Sequence, residues 1–139
     1  MSVPAENLRG EKSMMQEIVI DTDVLINCLR GNIDALNLLK ELAQTNVLSC
    51  SAITVAEIYA GMKERERQKT ELLLNSLSII SVDKKIAEHA GIYRRETKSH
   101  SLELDDCLIA ATCLVKKAVL VTKNIKHYPM NDIKKIAMK

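Results

Sequence analysis

Apolar and polar residues follow one another along this chain in two rhythms. Short unbroken apolar runs such as Ile18-Val19-Ile20 and Val119-Leu120-Val121 fit strands buried on both faces. Between such runs lie longer stretches with apolar residues at helical spacing. The pattern predicts a strand over Glu17–Asp21, helices over Val24–Arg30 and Ile33–Gln44 broken at Gly31-Asn32, and a strand over Asn46–Ser49. Helices follow over Thr54–Lys63 and Arg67–Ser76, then a strand over Ser78–Val82. Asp83–Ser99 reads as an amphipathic helix with Ile86, Ala90 and Tyr93 on one face. Asp105–Lys116 is an almost wholly apolar helix, Ala118–Thr122 the next strand, and Ile133–Met138 a last one. Continuous apolar strands alternating with helices predict an α/β fold whose parallel sheet is covered by helices on both faces.

Residues 1–16 are polar, carry Pro4 and Gly10, and read as a flexible leader, with Met14 and Met15 as alternative starts to Met1. Residues 17–139 are then a single domain, a length that supports a real core. That core must be aliphatic, because the chain holds three tyrosines and neither Phe nor Trp. The same shortage of rings argues against RNA binding on stacked-base platforms. A net charge of +2 identifies no nucleic-acid partner by itself. Lys116 to Lys139 contains seven lysines and one acid, Asp132, which is a solvated face unless those lysines surround an active centre. Cys28, Cys50, Cys107 and Cys113 form no C-x-x-C pair, and His89, His100 and His127 stand at no zinc-ligand spacing. Without a membrane-length apolar segment or a signal-peptide pattern, the expected location is the cytoplasm, away from membranes.

Asp21 is the most informative residue. It ends an apolar strand, and a carboxylate there points into the crevice where open α/β sheets bind ligands. Glu57 in SAITVAEIYAG and Asp106 in LELDDCLIAAT stand in similarly apolar settings. Each of the last two has a plainer reading. Thr54-x-x-Glu57 matches a helix capping box, so spacing alone leaves both roles open. Asp105 fits a helix cap, leaving Asp106 in the first turn, and Asp23 fits the cap of the helix after the first strand. Asp21 is harder to dismiss, because a buried strand end gains little from a carboxylate unless something positive meets it.

Taken together, the acids suggest a carboxylate cage. Converging like charges repel and their pKa values rise unless a cation neutralises them. Mg²⁺ and Mn²⁺ prefer carboxylate and water oxygens. Such a site can activate water and stabilise phosphate oxygens in an in-line displacement.

IVIDTDVLI around Asp21, SAITVAEIYAG around Glu57, DDCLIAAT around Asp106 and AVLVTKNIKHY through Thr122–Tyr128 together resemble the PIN-domain family, and within it the VapC-type toxins of prokaryotic toxin–antitoxin pairs. The resemblance spans about residues 17 to 136. It implies a three-layer α/β/α fold with a central, mostly parallel sheet, and Mg²⁺- or Mn²⁺-dependent endoribonuclease activity. It assigns Asp21, Glu57 and Asp106 to the catalytic and metal-binding acids, with Asp23 and Asn124 as outer or second-metal ligands. Thr22 and Thr122 are the supporting hydroxyls. It also implies an RNA substrate, a homodimer, and a small cognate antitoxin inserted near the site. DNA would be met only through the antitoxin, in operon autoregulation. The chain departs from the family pattern twice. Asn124 takes a position that is acidic in many members, and His127-Tyr128 stands where Asp-Phe is frequent.

The alternative is a catalytically silent PIN-like module that binds RNA or protein, whose sign would be loss of a core acid. A haloacid-dehalogenase-like phosphatase is more remote. Asp21-Thr22-Asp23 resembles its Asp-x-Asp start, but Leu25 stands where it wants Thr or Val, and Glu57 would have no role. A phospho-accepting receiver domain would want Asp at another central strand end, where Ser49 and Ser81 stand instead.

Overall fold

The computed structural model describes residues 15–98 and 102–139. Residues 1–14 of the expected leader, Ser99 at the end of the long amphipathic helix, and His100 lie outside the described residues. Five strands form one sheet: β1 (Glu17–Ile20), β2 (Val47–Ser51), β3 (Ser78–Ile80), β4 (Val119–Thr122) and β5 (Lys134–Ala137). Their order is β3-β2-β1-β4-β5 and every neighbouring pair is parallel.

Among the described residues there are six helices: α1 (Thr22–Leu29), α2 (Ile33–Ala43), α3 (Ala52–Gly61), α4 (Arg67–Asn75), α5 (Lys84–Glu96) and α6 (Leu104–Lys116). Short 3₁₀ turns cover Glu64–Glu66 and Ile125–His127. Alternation along the strands divides the core in two. Val19 and Leu120 pack with α5 and α6 residues such as Ile86, Ala90, Ile109 and Ala110. Ile18, Ile20 and Val121 pack with Val24, Leu25, Leu39 and Leu74 from α1, α2 and α4. The three-layer α/β/α expectation holds, and the sheet is parallel throughout. Ile20, Val24, Leu25 and Leu120 are fully enclosed, and burial of each such side chain contributes about 1.5–3 kcal/mol.

Element ends differ from the pattern by local hydrogen bonding. β1 stops at Ile20 because Asp21 is already the N-cap of α1, its carboxylate accepting the Thr22 N–H. Asp23 therefore is not the cap but lies in the first turn. Helix α2 begins where expected, because Gly31 takes a φ of 80° and Asn32 caps Ala35. Helix α3 starts earlier than Thr54, since the Ser51 hydroxyl caps it at the Ile53 N–H. The capping-box reading of Thr54 and Glu57 is overturned: Thr54 is buried within the first turn. Asp105 does not cap α6 either. The cap position falls on Glu103, and Asp105 stands in the first turn beside Asp106.

The topology also says where a site should form. From β1 the chain runs outward to β2 and β3 on one side, and β4 and β5 lie on the other. Strand order thus reverses between β1 and β4, and the crevice beyond the carboxyl ends of those strands is where open parallel sheets bind ligands. Asp21 follows the end of β1 and Thr122 ends β4.

Candidate active site

Asp21 is 6% exposed, and both its oxygens are held. Oδ1 accepts the Thr22 N–H at 2.9 Å and the Tyr128 hydroxyl at 2.9 Å, while Oδ2 accepts the Thr122 hydroxyl at 2.7 Å. Three donors lower the carboxyl pKa, yet burial outweighs them, and with the charge of Asp23 it pushes Asp21 up to about 6.

Glu57 projects from α3, close to the start of α1. Thr22 Oγ1 lies 2.7 Å from Glu57 Oε1 and 3.0 Å from the buried Thr54 Oγ1. A hydroxyl carries one proton, so with Thr22 donating to the carboxylate, Thr54 donates to Thr22. Burial, followed by the neighbouring Asp105 carboxyl, pushes Glu57 up to about 7. Asp106, half-buried on the first turn of α6, is raised by burial and by Asp105. Its Oδ1 is 3.4 Å from the Tyr128 hydroxyl, and the exposed His127 imidazole stands 3.9 Å from Oδ2.

The outer positions meet on the loop after β4. Asn124 Nδ2 donates to Asp23 Oδ2 at 3.2 Å, and the Lys123 N–H approaches Asp23 Oδ1 at 3.4 Å. The Thr122 hydroxyl also receives the Asn124 N–H at 3.1 Å. Asp21, Thr22, Glu57, Asp106, Thr122 and, through Thr122, Asn124 and Asp23 thus form one connected network, drawn from four separate stretches of chain.

Two further residues touch these acids directly and carried no site role in the sequence-based expectation. Tyr128 is 1% exposed and touches both Asp21 and Asp106. Burial and the charges of Asp21 and Asp106 drive its pKa far above the usual phenol range, so it stays a neutral donor. The available signal was a tyrosine just past the Thr122 motif in a chain without Phe, since a buried phenol needs a partner. Asp105 is the other, set aside as a cap but lying against Glu57. Of the lysine-rich tail, Lys135 is not a free surface cation: its Nζ donates to the Tyr128 and Met130 carbonyls at 2.7 and 2.8 Å.

The donor set is all oxygen. Among the described residues no Lys or Arg side chain pairs with Asp21, Glu57 or Asp106. That chemistry fits a hard divalent cation. No three acidic, Cys or His side chains among the described residues converge closely enough to enclose an ion by themselves. A groove of about 260 Å³ adjoins Glu57, bounded by Ile26, Leu29, Ile58 and Met62 with Arg30 and Lys63 at its edge. No helix among the described residues is long and apolar enough to cross a membrane.

The PIN domain family model matches residues 18–132. The chain is 38% identical over 115 residues to Ribonuclease VapC10 of Mycobacterium tuberculosis, covering 81% of this chain and 86% of that protein. Its fold superposes on VapBC2 from Rickettsia felis, solved bound to a DNA fragment from their promoter, with a TM-score of 0.79 and 27% identity over 88% of this chain and 99% of the other. A toxin–antitoxin complex from Klebsiella pneumoniae gives a TM-score of 0.75 at 28% identity, covering 88% and 98%. A family model matching most of the chain, a relative of 38% identity and a shared five-stranded parallel α/β fold place this chain in the PIN-domain family, among the VapC ribonucleases.

Proposed function

We infer that this protein is the endoribonuclease toxin of a VapBC-type pair, acting in the cytoplasm and using Mg²⁺ or Mn²⁺. One observation carries the reading. Three carboxylates from α3, α6 and the β1–α1 junction are linked through Thr22 and Tyr128, and among the described residues no Lys or Arg side chain pairs with them. Asp21, Glu57 and Asp106 would hold the cation, with Asp23 and Asn124 as outer ligands. Mg²⁺ keeps several waters when bound, so it needs few ligands from the protein. When bound, the cation supplies the positive charge that lowers the pKa of a water and offsets charge developing on a phosphodiester.

The chain's own residues do the positioning. Thr122 and the Thr22 N–H fix the plane of the Asp21 carboxylate, and the Thr54–Thr22 hydroxyl chain fixes that of Glu57. Asn124 restrains Asp23 at the rim. An RNA substrate, a homodimer and a small antitoxin complete the proposal. The groove beside Glu57 offers an antitoxin segment a route to the acids, and relatives solved as VapBC complexes support that pairing. The retention of all three acids weighs against a silent binding module.

The test is cleavage of a structured-RNA pool by antitoxin-free protein, with Mn²⁺, with EDTA, and with Asp21→Ala. Cutting that needs Mn²⁺ and disappears in the variant is the expected result. Cutting that survives EDTA or the substitution would overturn the assignment. No cutting by folded protein would favour the binding module.

A further inference from the structure

Tyr128 is buried in the core that packs against α5 and α6, and as a space-filler a phenyl ring would serve as well. Its hydroxyl instead ends 2.9 Å from Asp21 Oδ1 and 3.4 Å from Asp106 Oδ1. The phenol has one proton, and the shorter contact gives it to Asp21. A carboxylate offers about four lone-pair directions, two on each oxygen. On Asp21 the Thr22 N–H and Tyr128 take both on Oδ1, and Thr122 takes one on Oδ2. A single direction, on Oδ2, remains.

The ring is also braced from behind. Lys135 on β5 donates to the carbonyls of Tyr128 and Met130. This clamp fixes the loop on either side of Pro129, and with it the reach of the phenol. This stretch is thereby given a defined position at the site by a charge-assisted pair of hydrogen bonds.

We propose that Tyr128 is a positioning residue that sets cation selectivity: by occupying Asp21 Oδ1 it confines Asp21 to one-oxygen ligation through Oδ2. Ca²⁺ takes six to eight oxygens and accepts carboxylates through both at once, whereas Mg²⁺ demands near-octahedral geometry. A carboxylate with one oxygen blocked therefore disfavours the larger ion. The inference rests on the proposed metal site.

Titration calorimetry of wild type, Tyr128→Phe and Lys135→Met with Mn²⁺ and, separately, Ca²⁺ tests it, with melting in EDTA as a check on folding. Tyr128→Phe removes one oxygen and keeps the ring. It should raise affinity for Ca²⁺ relative to Mn²⁺ by about tenfold, the scale of one hydrogen bond to a charged group. Lys135→Met should move the ratio the same way by a smaller factor. A ratio unchanged within about twofold in a folded Tyr128→Phe protein whose wild type binds Mn²⁺ would overturn this inference alone. Wild type that binds neither ion would overturn it together with the metal-dependent reading.

Discussion

Replacing Asp21 by Asn should make the protein more stable at neutral pH while abolishing cleavage. Burial and the charge of Asp23 push the Asp21 carboxyl up to about 6, whereas an aspartate in an unfolded chain titrates near about 3.9. A carboxyl whose pKa is raised by folding stabilises the native state fully only below the unfolded pKa. That contribution is lost as pH rises through the folded value. Ionised Asp21 therefore opposes folding at pH 7.5 in the absence of a cation. A difference of about two pH units corresponds to ~3 kcal/mol. Asn keeps the shape but exchanges one acceptor oxygen for an NH₂ group. One of the three donors around Asp21 then loses its partner, at a cost of about 1–2 kcal/mol. The net gain is ~1–2 kcal/mol, or roughly 3–8 °C in Tm. Thermal melts of both proteins in EDTA at pH 7.5 and 4.5 measure it. At pH 4.5 wild-type Asp21 is protonated in the native state and the gap should shrink. A variant less stable than wild type at pH 7.5, or a gap equal at both pH values, would refute the reasoning.

Thr122→Val removes the 2.7 Å bond to Asp21 Oδ2 and should lower kcat at saturating Mn²⁺ by about tenfold or more with the fold kept, which kinetics beside a melt will show. Asn124→Asp replaces the donor to Asp23 with a like charge, so Tm in EDTA should fall, and added Mn²⁺ should raise it more than in wild type. Asp106→Asn should weaken Mn²⁺ binding and suppress cleavage while circular dichroism stays native; normal cleavage by that protein would remove Asp106 from the site.

Apolar runs mark β1 and β4 most plainly, because strands buried on both faces have no polar side to blur the pattern, whereas the edge strands β3 and β5 are largely exposed. Helix starts were harder to place. Ser51 ends β2 while capping α3, and Asp21 caps α1 immediately after β1 ends. A periodicity argument assigns such a residue to the strand and begins the helix too late. The Thr54 case shows the consequence: a capping-box spacing was present, but the true cap lay three residues earlier. Thr54 instead spends its hydroxyl on Thr22.

The acids were legible for the opposite reason. A carboxylate in an apolar segment conflicts with its surroundings, and Asp21, Glu57 and Asp106 each stand out in that way. What holds them does not stand out. Thr22 and Thr122 satisfy local strand and helix preferences equally well, and Tyr128 reads as one more large residue for an aliphatic core. Their roles depend on contacts across 35, 101 and 107 residues of chain, which only the order β2-β1-β4 brings together. The division follows from the chemistry. A charge must advertise itself wherever it is buried, but a hydroxyl becomes a ligand-positioning group only after the fold has chosen its acceptor. That is why the supporting hydroxyls, rather than the acids, are where a structure of this chain adds most to its sequence.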